Sequence, residues 1–398
     1  MFNLKKFLIV ILIGTFCFVS FNVSLKAAQG QATEQSNSSH TEYSPFITVA
    51  SNTPTPTYSL FDSKFKFLAE GKDTADGYSA YQVTIEKHDG GLPIAFHYRD
   101  VTALLVLDGE LGLKVNGDVV NAPAGTFAYI PAKSRYAITN SGTEPAKFLL
   151  YSFNEGSSKS PTPLERLIKT AGVPVDNFSG WSSPVGNQRL IEKIALKNGI
   201  DFRAPFYAFN FYPFFNRFNF RAPFYAFNKD KTNHNYLVVL PDARDRPVYD
   251  SIGGRYTYLA TDEETNGKFT FASVVNPAGN AIVPHRHKNE DELYSILSGG
   301  NFSILMNDKI TTATPGTFAL LGRGHQHAWI TTGTTETRLI CLFTPAFFGN
   351  FFKDVGTPVT DLNAPIAPSA SPEKIASIAI NKYHIEFVNQ PNWPPQIN

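Results

Sequence analysis

Cysteine, methionine and tryptophan are scarce in this 398-residue chain, which contains two, two and three of them. One cysteine, Cys17, lies in an N-terminal apolar run, so only Cys341 would remain if that run were removed. A single thiol excludes an internal disulfide, and the folded body must then be stabilised by packing. Within the apolar sequence LICLFTP, Cys341 is expected to be a buried strand residue rather than a nucleophile.

Charge is also sparse and nearly balanced. Charged residues make up 17% of the chain and give a net charge of +1 at pH 7. A nucleic-acid or anionic-membrane partner would call for an excess of positive charge, and this chain has none. What the chain has instead is hydrophobic content of 42%, including 34 phenylalanines, which suits β-rich cores with aromatic filling. Its length is sufficient for two domains.

The first 28 residues are predicted to be a secretory signal peptide. Lys5 and Lys6 precede the apolar run FLIVILIGTFCFVSF, and Ala27 and Ala28 supply small residues for cleavage. We therefore expect an exported protein, either periplasmic or secreted. The alternative is an uncleaved anchor that tethers the protein to the membrane, because the apolar run extended to Leu25 is nearly long enough to span a bilayer. Beyond this segment we expect no membrane partner.

Two copies of one unit follow a polar tether. Residues 29–59 are rich in Ser, Thr, Asn, Gln and Pro and are predicted to be a flexible linker. Residues 60–202 and 236–390 then match each other in order; APAGTFAYIPAKSRYAITN in the first copy corresponds to ATPGTFALLGRGHQHAWIT in the second. Each copy shows short alternating strands that end in Gly, Asn or Pro, which is typical of a β-sandwich or small barrel, and finishes with a helix. Residues 391–398 form a tail.

An aromatic linker, residues 203–235, joins the two copies and contains a duplication. The sequence FRAPFYAFN begins at Phe202 and occurs again, letter for letter, at Phe220. Two copies cannot form a solenoid, which needs about three repeats to bury a core. We expect one copy to pack along the two units, and we assign no chemistry to it.

The strongest functional pattern lies in the segment GNAIVPHRHKNEDELYSILSGG. His285 and His287 are two residues apart in an expected strand, so both imidazoles point to one face. If the segment is a hairpin, Glu292 converges with them, and His327 from a later segment completes the set. Three imidazoles and one carboxylate leave coordination positions open for a small molecule. They suit one divalent transition metal ion, such as iron, manganese, copper, nickel or cobalt, and affinity alone would not select among these.

The spacing of these residues resembles the first motif of the cupin superfamily. Gly279, five residues, His-x-His, four residues, Glu292, six residues and Gly299 reproduce that motif completely. The resemblance implies an all-β fold with two tandem cupin domains. Each would be a double-stranded β-helix, or jelly-roll barrel, followed by a short C-terminal helix.

The second cupin motif is less complete. It starts at Gly316 and keeps the ligand histidine, His327, but Gly322 replaces the usual proline and Thr331 the usual asparagine. Neither departure touches a predicted ligand.

Within the cupins, the chain resembles quercetin 2,3-dioxygenase-like proteins through segments such as PHRHKNEDELYSILSGG and FTPAFFGNFFKDVGTPV. That resemblance implies ring-opening dioxygenation of a flavonol, with O2 as co-substrate, at an ion held by three histidines and a glutamate. It also implies that Glu292 is both ligand and catalytic base. Strand alternation places Tyr294 on the face of Glu292 and Trp329 on the face of His327, so both are candidate substrate-pocket residues. Further candidates for the pocket wall are Phe302, Phe318 and Phe343.

The first copy has lost this ligand set. Aligned with the second copy, its four ligand positions carry His97, Arg99, Thr102 and Tyr136 in that order. A fixed guanidinium would repel a cation, so this degenerate site is not expected to hold a metal. Our main interpretation is a structural half; the alternative is that Arg99, His97 and Tyr136 form a pocket for an anion or a phenolic ligand.

The sequence is therefore compatible with three functions. The first is an exported metal-dependent dioxygenase, and the second an oxalate-type cupin enzyme, which would need a cationic group beside the open metal face. The third is a non-catalytic binding protein for a small hydrophobic ligand. A structural metal site is normally closed, so the open ligand set favours an enzyme with a small-molecule substrate. Both a monomer and a homo-oligomer are compatible with the sequence.

Overall fold

The computed structural model describes residues 45–49, 55–86, 88–155, 160–175, 188–202, 236–241, 243–390 and 393–394. The predicted signal peptide, most of the polar linker and the duplicated part of the aromatic linker lie outside these ranges. The chain divides into two compact units. We call the described residues between positions 51 and 245 the first unit, and the described residues from position 246 onward together with residues 45–49 the second unit.

The first unit consists of two antiparallel sheets. Numbered along the chain, β1 (Phe46–Thr48) belongs to the second unit, and the strands of the first are β2 (Thr57–Leu60), β3 (Ser63–Ala69), β4 (Tyr78–Ile85), β5 (Gly91–His97), β6 (Asp100–Asp108), β7 (Glu110–Val115), β8 (Asp118–Pro123), β9 (Phe127–Ile130), β10 (Ser134–Asn140), β11 (Ala146–Asn154), β12 (Val173–Pro174), β13 (Ile200–Asp201) and β14 (Leu237–Val239). The larger sheet has the order β12-β2-β3-β4-β11-β6-β9-β14 and the smaller β13-β5-β10-β7-β8.

The second unit repeats this architecture. Its remaining strands are β15 (Val248–Ser251), β16 (Gly254–Ala260), β17 (Thr270–Asn276), β18 (His285–Arg286), β19 (Asp291–Gly299), β20 (Phe302–Met306), β21 (Lys309–Ala313), β22 (Phe318–Leu321), β23 (His327–Thr331), β24 (Thr337–Thr344), β25 (Thr357–Pro358) and β26 (Glu386–Phe387). The larger sheet has the order β1-β22-β19-β24-β17-β16-β15-β25, and the smaller β21-β20-β23-β18-β26. Two facing sheets per unit agree with the predicted pair of jelly-roll domains.

In each larger sheet, one of the two edge strands comes from a segment outside the predicted bounds of that copy. β1 pairs with β22, and Phe46 lies opposite Leu320. β14 pairs with β9 in the first unit, and Leu237 lies opposite Tyr129. The structure thus departs from two predicted boundaries: Phe46–Thr48 is a strand inside the stretch expected to be flexible, and the second unit resumes at position 246 rather than 236. The physical reason is that an edge strand exposes unpaired backbone groups, which these short apolar segments satisfy.

Two helices, where one was predicted, follow the strands of each unit. They are α1 (Pro163–Ala171), α2 (Gln188–Lys197), α3 (Phe351–Val355) and α4 (Pro372–Tyr383), and there are short 3-10 turns at Gly71–Asp73 and Ala346–Asn350. α4 begins where the Ser371 hydroxyl accepts a hydrogen bond from the Lys374 amide, 3.3 Å away. No helix within the described ranges is both long and apolar enough to cross a bilayer.

Candidate metal centre and adjoining cavity

Three histidines and one glutamate meet inside the second unit. Each of His285, His287, Glu292 and His327 is buried, and their ligand atoms all lie within 4.8 Å of one another. The structure therefore brings together the four residues that the sequence singled out. His285 and His327 are paired directly across β18 and β23.

The convergence does not arise from the predicted hairpin. β18, which carries His285, pairs with β23 and β26 in the smaller sheet, whereas β19, which carries Glu292, pairs with β22 and β24 in the larger sheet. The chain crosses between the sheets after His287. Glu292 consequently meets the histidines across the interior, where the inner faces of two sheets oppose each other.

The distances within this group suit a shared cation. His285 Nε2 lies 3.2 Å from His287 Nε2, and Glu292 Oε2 lies 3.0 Å from His327 Nε2 and 3.4 Å from His287 Nε2. Donors that share one ion at bond lengths of about 2.0–2.2 Å stand roughly 3 Å apart. The donor set of three nitrogens and one oxygen therefore fits a transition-metal ion.

Backbone carbonyls set the orientation of two imidazoles. His285 Nδ1 donates to the carbonyl of Val283 at 3.0 Å, and His327 Nδ1 donates to the carbonyl of His325 at 3.1 Å. Because each ring carries its proton on Nδ1, each Nε2 presents a lone pair toward the centre.

Burial and mutual proximity shift the pKa values of His285 and Glu292 in the direction of their metal-binding forms. Burial, reinforced by the nearby His327 and His287, lowers the pKa of His285 well below its ordinary value. Burial by itself would raise the pKa of Glu292, but the adjacent imidazoles of His287 and His327 hold that pKa well below its usual range. Neutral imidazole and ionised carboxylate are the forms that bind a cation.

Two side chains fix the second oxygen of Glu292. Tyr294 donates its hydroxyl to Oε1 at 2.5 Å, and Cys341 donates its thiol to the same atom at 3.3 Å. Tyr294 and Cys341 are themselves opposite each other on β19 and β24. With Oε1 held from the larger sheet, Oε2 is left to face the histidines.

An ion pair that the sequence analysis missed joins the two segments bearing the ligands. Arg323 donates through Nε and a terminal nitrogen to the two oxygens of Asp291, at 3.0 Å each. The amide of Gly324 also donates to the carbonyl of His287 at 2.7 Å. A two-pronged guanidinium–carboxylate contact fixes relative orientation, so Arg323 holds the His327 turn beside Glu292.

A cavity of about 610 Å³ adjoins the cluster. His285 and Glu292 contribute to its wall, as do both candidate pocket residues, Tyr294 and Trp329. Most of the remaining wall is apolar, and no lysine or arginine is among its described residues. Further aromatic wall residues, which the sequence analysis did not identify, are Tyr256, Phe348, Phe351, Phe352 and Phe387.

The three other wall candidates lie away from this cavity surface. Phe302 stacks behind Trp329, with ring centroids 5.4 Å apart, and Phe318 packs against Phe46 at 6.2 Å. Phe343 lies in the core beside His287. None of the three lines the cavity. Phe302 and Phe343 belong instead to the packed core of the second unit.

Strand pairing in the first unit corrects the predicted correspondence between the copies. His285 lies opposite His327, whereas the equivalent strands of the first unit place Ala95 opposite Tyr136. Ala95 thus occupies the position of His285. His97 follows it by two residues, in the place of His287.

Arg99 has no part in the interior of this degenerate site. It is exposed, whereas His97 and Tyr136 are buried. The alternative pocket of Arg99, His97 and Tyr136 is therefore not formed. Alignment of the two sequences placed His97 at the position of His285, two residues away from its structural equivalent, His287. Only the strand pairing reveals this shift.

Hydrogen bonds between side chains replace the ligand set in the first unit. The Tyr136 ring stacks on His97 with centroids 4.2 Å apart, and its hydroxyl lies 2.7 Å from the Thr102 hydroxyl. His97 Nδ1 lies 3.1 Å from a carboxylate oxygen of Asp100, which is 0% exposed. These contacts fill the interior with mutually satisfied groups, as expected of a structural half.

Replacing His97 with alanine is expected to leave the metal content of the chain unchanged. Stability should fall by about 2–3 kcal/mol, because the buried side chain of Asp100 loses its hydrogen bond with His97. Metal analysis and denaturant unfolding of His97→Ala and of wild type would measure both effects, with His285→Ala as the matched variant that does lose the ion. Loss of bound ion from His97→Ala would contradict the assignment of the site to the second unit.

Comparison with known proteins agrees with this architecture. The cupin domain family model matches residues 81–152 and 272–343, one stretch in each unit. Quercetin 2,3-dioxygenase from Bacillus subtilis (strain 168) is 22% identical to this chain over 314 residues, which cover 76% of this chain and 84% of that protein.

The solved structures that match this chain include two bacterial proteins. Oxalate decarboxylase from Bacillus subtilis at pH 4.6 has a TM-score of 0.47 and 14% identity, and the match covers 77% of each chain. Protein Ylba from E. coli has a TM-score of 0.45 and 13% identity, over 75% of this chain and 89% of that one. The two family matches fall in the two double-sheet units, and the chain is accordingly a bicupin, a member of the cupin superfamily with two cupin domains.

Proposed function

We propose that the second unit is the catalytic half of an exported metal-dependent dioxygenase, which cleaves the ring of a flavonol-like or other enolic aromatic substrate. One observation carries the proposal: an aromatic, largely apolar cavity of about 610 Å³ opens directly onto His285 and Glu292. A flat hydrophobic ligand can occupy such a space with a polar oxygen at the cluster.

His285, His287, Glu292 and His327 would hold the ion. When bound, a divalent transition metal supplies a Lewis acid and an electron path between an enolate and O2. The apolar wall excludes water from this end of the cavity, and its aromatic side chains hold the ligand ring flat.

Glu292 supplies the base. It is the only carboxylate among the described residues of the cavity wall, and the low pKa of its side chain keeps it ionised at neutral pH. Because Oε1 already accepts from Tyr294 and Cys341, Oε2 is the atom that takes the proton of the ligand hydroxyl. Tyr294 thereby positions the base rather than reacting itself.

The cavity argues against the oxalate-type alternative. A small dianion would need a cationic side chain beside the cluster, and the described wall offers neither lysine nor arginine. The apolar volume is also far larger than a two-carbon acid requires. The binding-protein alternative shares the cavity with the dioxygenase and differs from it only in turnover.

The proposal is tested by measuring metal content and oxygen uptake on the same preparation of purified protein. We expect about one transition-metal ion per chain and oxygen consumption that depends on a flavonol and is absent with oxalate. An ion with flavonol binding but no oxygen uptake would establish the binding-protein alternative. Absence of an ion after reconstitution would overturn the proposed function.

Export is tested separately by cell fractionation of the full-length chain. We expect the N-terminal residue of the exported protein to lie near position 29. A full-length protein in the membrane fraction would establish the tethered alternative.

A further inference from the structure

Tyrosines near the metal cluster differ in what their hydroxyl groups contact. Tyr294 donates to Glu292 Oε1 at 2.5 Å, and Tyr258 donates to the carbonyl of Gly349, also at 2.5 Å. Both hydroxyls are therefore satisfied by the protein. Neither is free to bind a ligand.

Tyr256 is the exception. It lines the cavity, is 3% exposed, and stacks on Phe352 with ring centroids 4.0 Å apart. Among the described residues, its hydroxyl has no hydrogen-bond partner. Because Tyr256 lines the cavity, its hydroxyl can donate to water or to a ligand there.

The electrostatic surroundings make this hydroxyl a donor. Burial raises the pKa of Tyr256 well above its ordinary value, and the neighbouring Cys341 and Glu292 raise it further. The group is therefore protonated at any physiological pH. The ring lies at the cluster end of the cavity, because its stacking partner Phe352 contacts Phe348 at 5.8 Å, and Phe348 lies 4.1 Å from the His287 ring.

Trp329 provides a second unsatisfied donor. Its ring lines the cavity and stacks on Phe302, and it is 3% exposed. Its indole Nε1–H makes no hydrogen bond within the described part of the chain, and an indole nitrogen can only donate. The cavity thus combines apolar walls with two donors that lack acceptors.

We infer that Tyr256 and Trp329 select the ligand, by donating hydrogen bonds to acceptor oxygens on a planar aromatic body. This inference rests on the proposed function and narrows its substrate class. The favoured ligand carries a carbonyl oxygen beside the hydroxyl that approaches the cluster, and Tyr256 binds that carbonyl. A site built to hydrogen-bond a ligand group discriminates against an analogue that lacks it.

Two probes of similar shape isolate the carbonyl. 3-Hydroxyflavone has a hydroxyl with a neighbouring carbonyl oxygen, whereas 3-phenyl-2-naphthol has the hydroxyl and the three rings but no carbonyl. Dissociation constants would be measured by calorimetry on the metal-loaded protein without oxygen, so that no turnover occurs. We expect Tyr256→Phe to weaken 3-hydroxyflavone about tenfold and to leave 3-phenyl-2-naphthol unchanged.

Tyr258→Phe is the matched control, since it removes a hydroxyl that points to Gly349 and does not line the cavity. It should bind both probes as wild type does. Trp329→Phe is a second, independent variant that keeps an aromatic ring against Phe302. It should also lose affinity mainly for 3-hydroxyflavone. Metal content and melting temperature would show that each variant is folded.

The outcomes distinguish the donor role of Tyr256 and Trp329 from the flavonol-like substrate class. Unchanged binding of both probes to Tyr256→Phe and Trp329→Phe, or equal weakening of both probes, would overturn the selective role of the two donors while leaving the dioxygenase proposal intact. Failure of wild-type protein to bind either probe would overturn the flavonol-like substrate class, and the inference with it.

Discussion

His327→Ala should empty the metal site. The variant removes one of four donors, and Glu292 Oε2 loses the nitrogen that lies 3.0 Å away. Loss of a group that merely orients a ligand costs about 10–100-fold in metal affinity, so loss of a direct ligand should cost at least about 100-fold. Metal analysis after dialysis should show about one ion per chain in wild type and almost none in the variant.

His325→Ala is the control for this experiment. Its imidazole lies outside the cluster, and what His327 uses is the backbone carbonyl of residue 325, which alanine retains. The control should keep its ion. Thermal unfolding gives an independent readout, because an ion that binds only the folded state raises the melting temperature.

A chelator should therefore lower the melting temperature of wild type and of His325→Ala, and should not affect His327→Ala. Full occupancy in His327→Ala, with an unchanged response to chelator, would show that this residue is not a ligand.

The ligand residues could be predicted because their pattern is local. His285, His287 and Glu292 lie within eight consecutive positions, and their spacing specifies them without knowledge of the fold. How they meet could not be predicted in the same way. The expected hairpin is replaced by contact across two sheets, since the pairing of β18 with β23 joins residues 42 positions apart (327 minus 285).

Other features depend on contacts that no local pattern contains. The register of the degenerate site is set by the pairing of Ala95 with Tyr136, and a two-residue shift is invisible in an alignment of letters. The aromatic wall beside the cluster draws on Phe348, Phe351 and Phe352, which follow the last long strand. Their density was visible in the sequence, but their position against the cavity depends on how α3 packs.

Glu292→Gln should abolish turnover and retain most of the metal. The amide keeps the shape of the side chain and leaves the three histidines to hold the ion, but it cannot take up the hydroxyl proton. Loss of a general base reduces kcat by about 100- to 10,000-fold. Oxygen uptake and metal analysis on the same preparation would separate the two effects.

Glu290→Gln provides a matched substitution two residues away. Glu290 is also buried, and burial raises the pKa of its carboxyl to about 7, but it does not line the cavity. Its kcat should remain close to that of wild type. If both variants lost activity equally, the effect would be general to this segment rather than due to the base.

Tyr294→Phe completes the series, because it removes only the 2.5 Å hydrogen bond to Glu292 Oε1. A carboxylate that is no longer held turns away from the ligand for part of the time. Because a misplaced catalytic group lowers the reaction rate, kcat should fall by about tenfold. KM should change less than kcat, since the ring still lines the cavity.

The order expected for kcat is therefore wild type and Glu290→Gln highest, Tyr294→Phe intermediate and Glu292→Gln lowest. Turnover by Glu292→Gln at the wild-type rate would remove this residue from the mechanism and leave the cluster as a binding site alone.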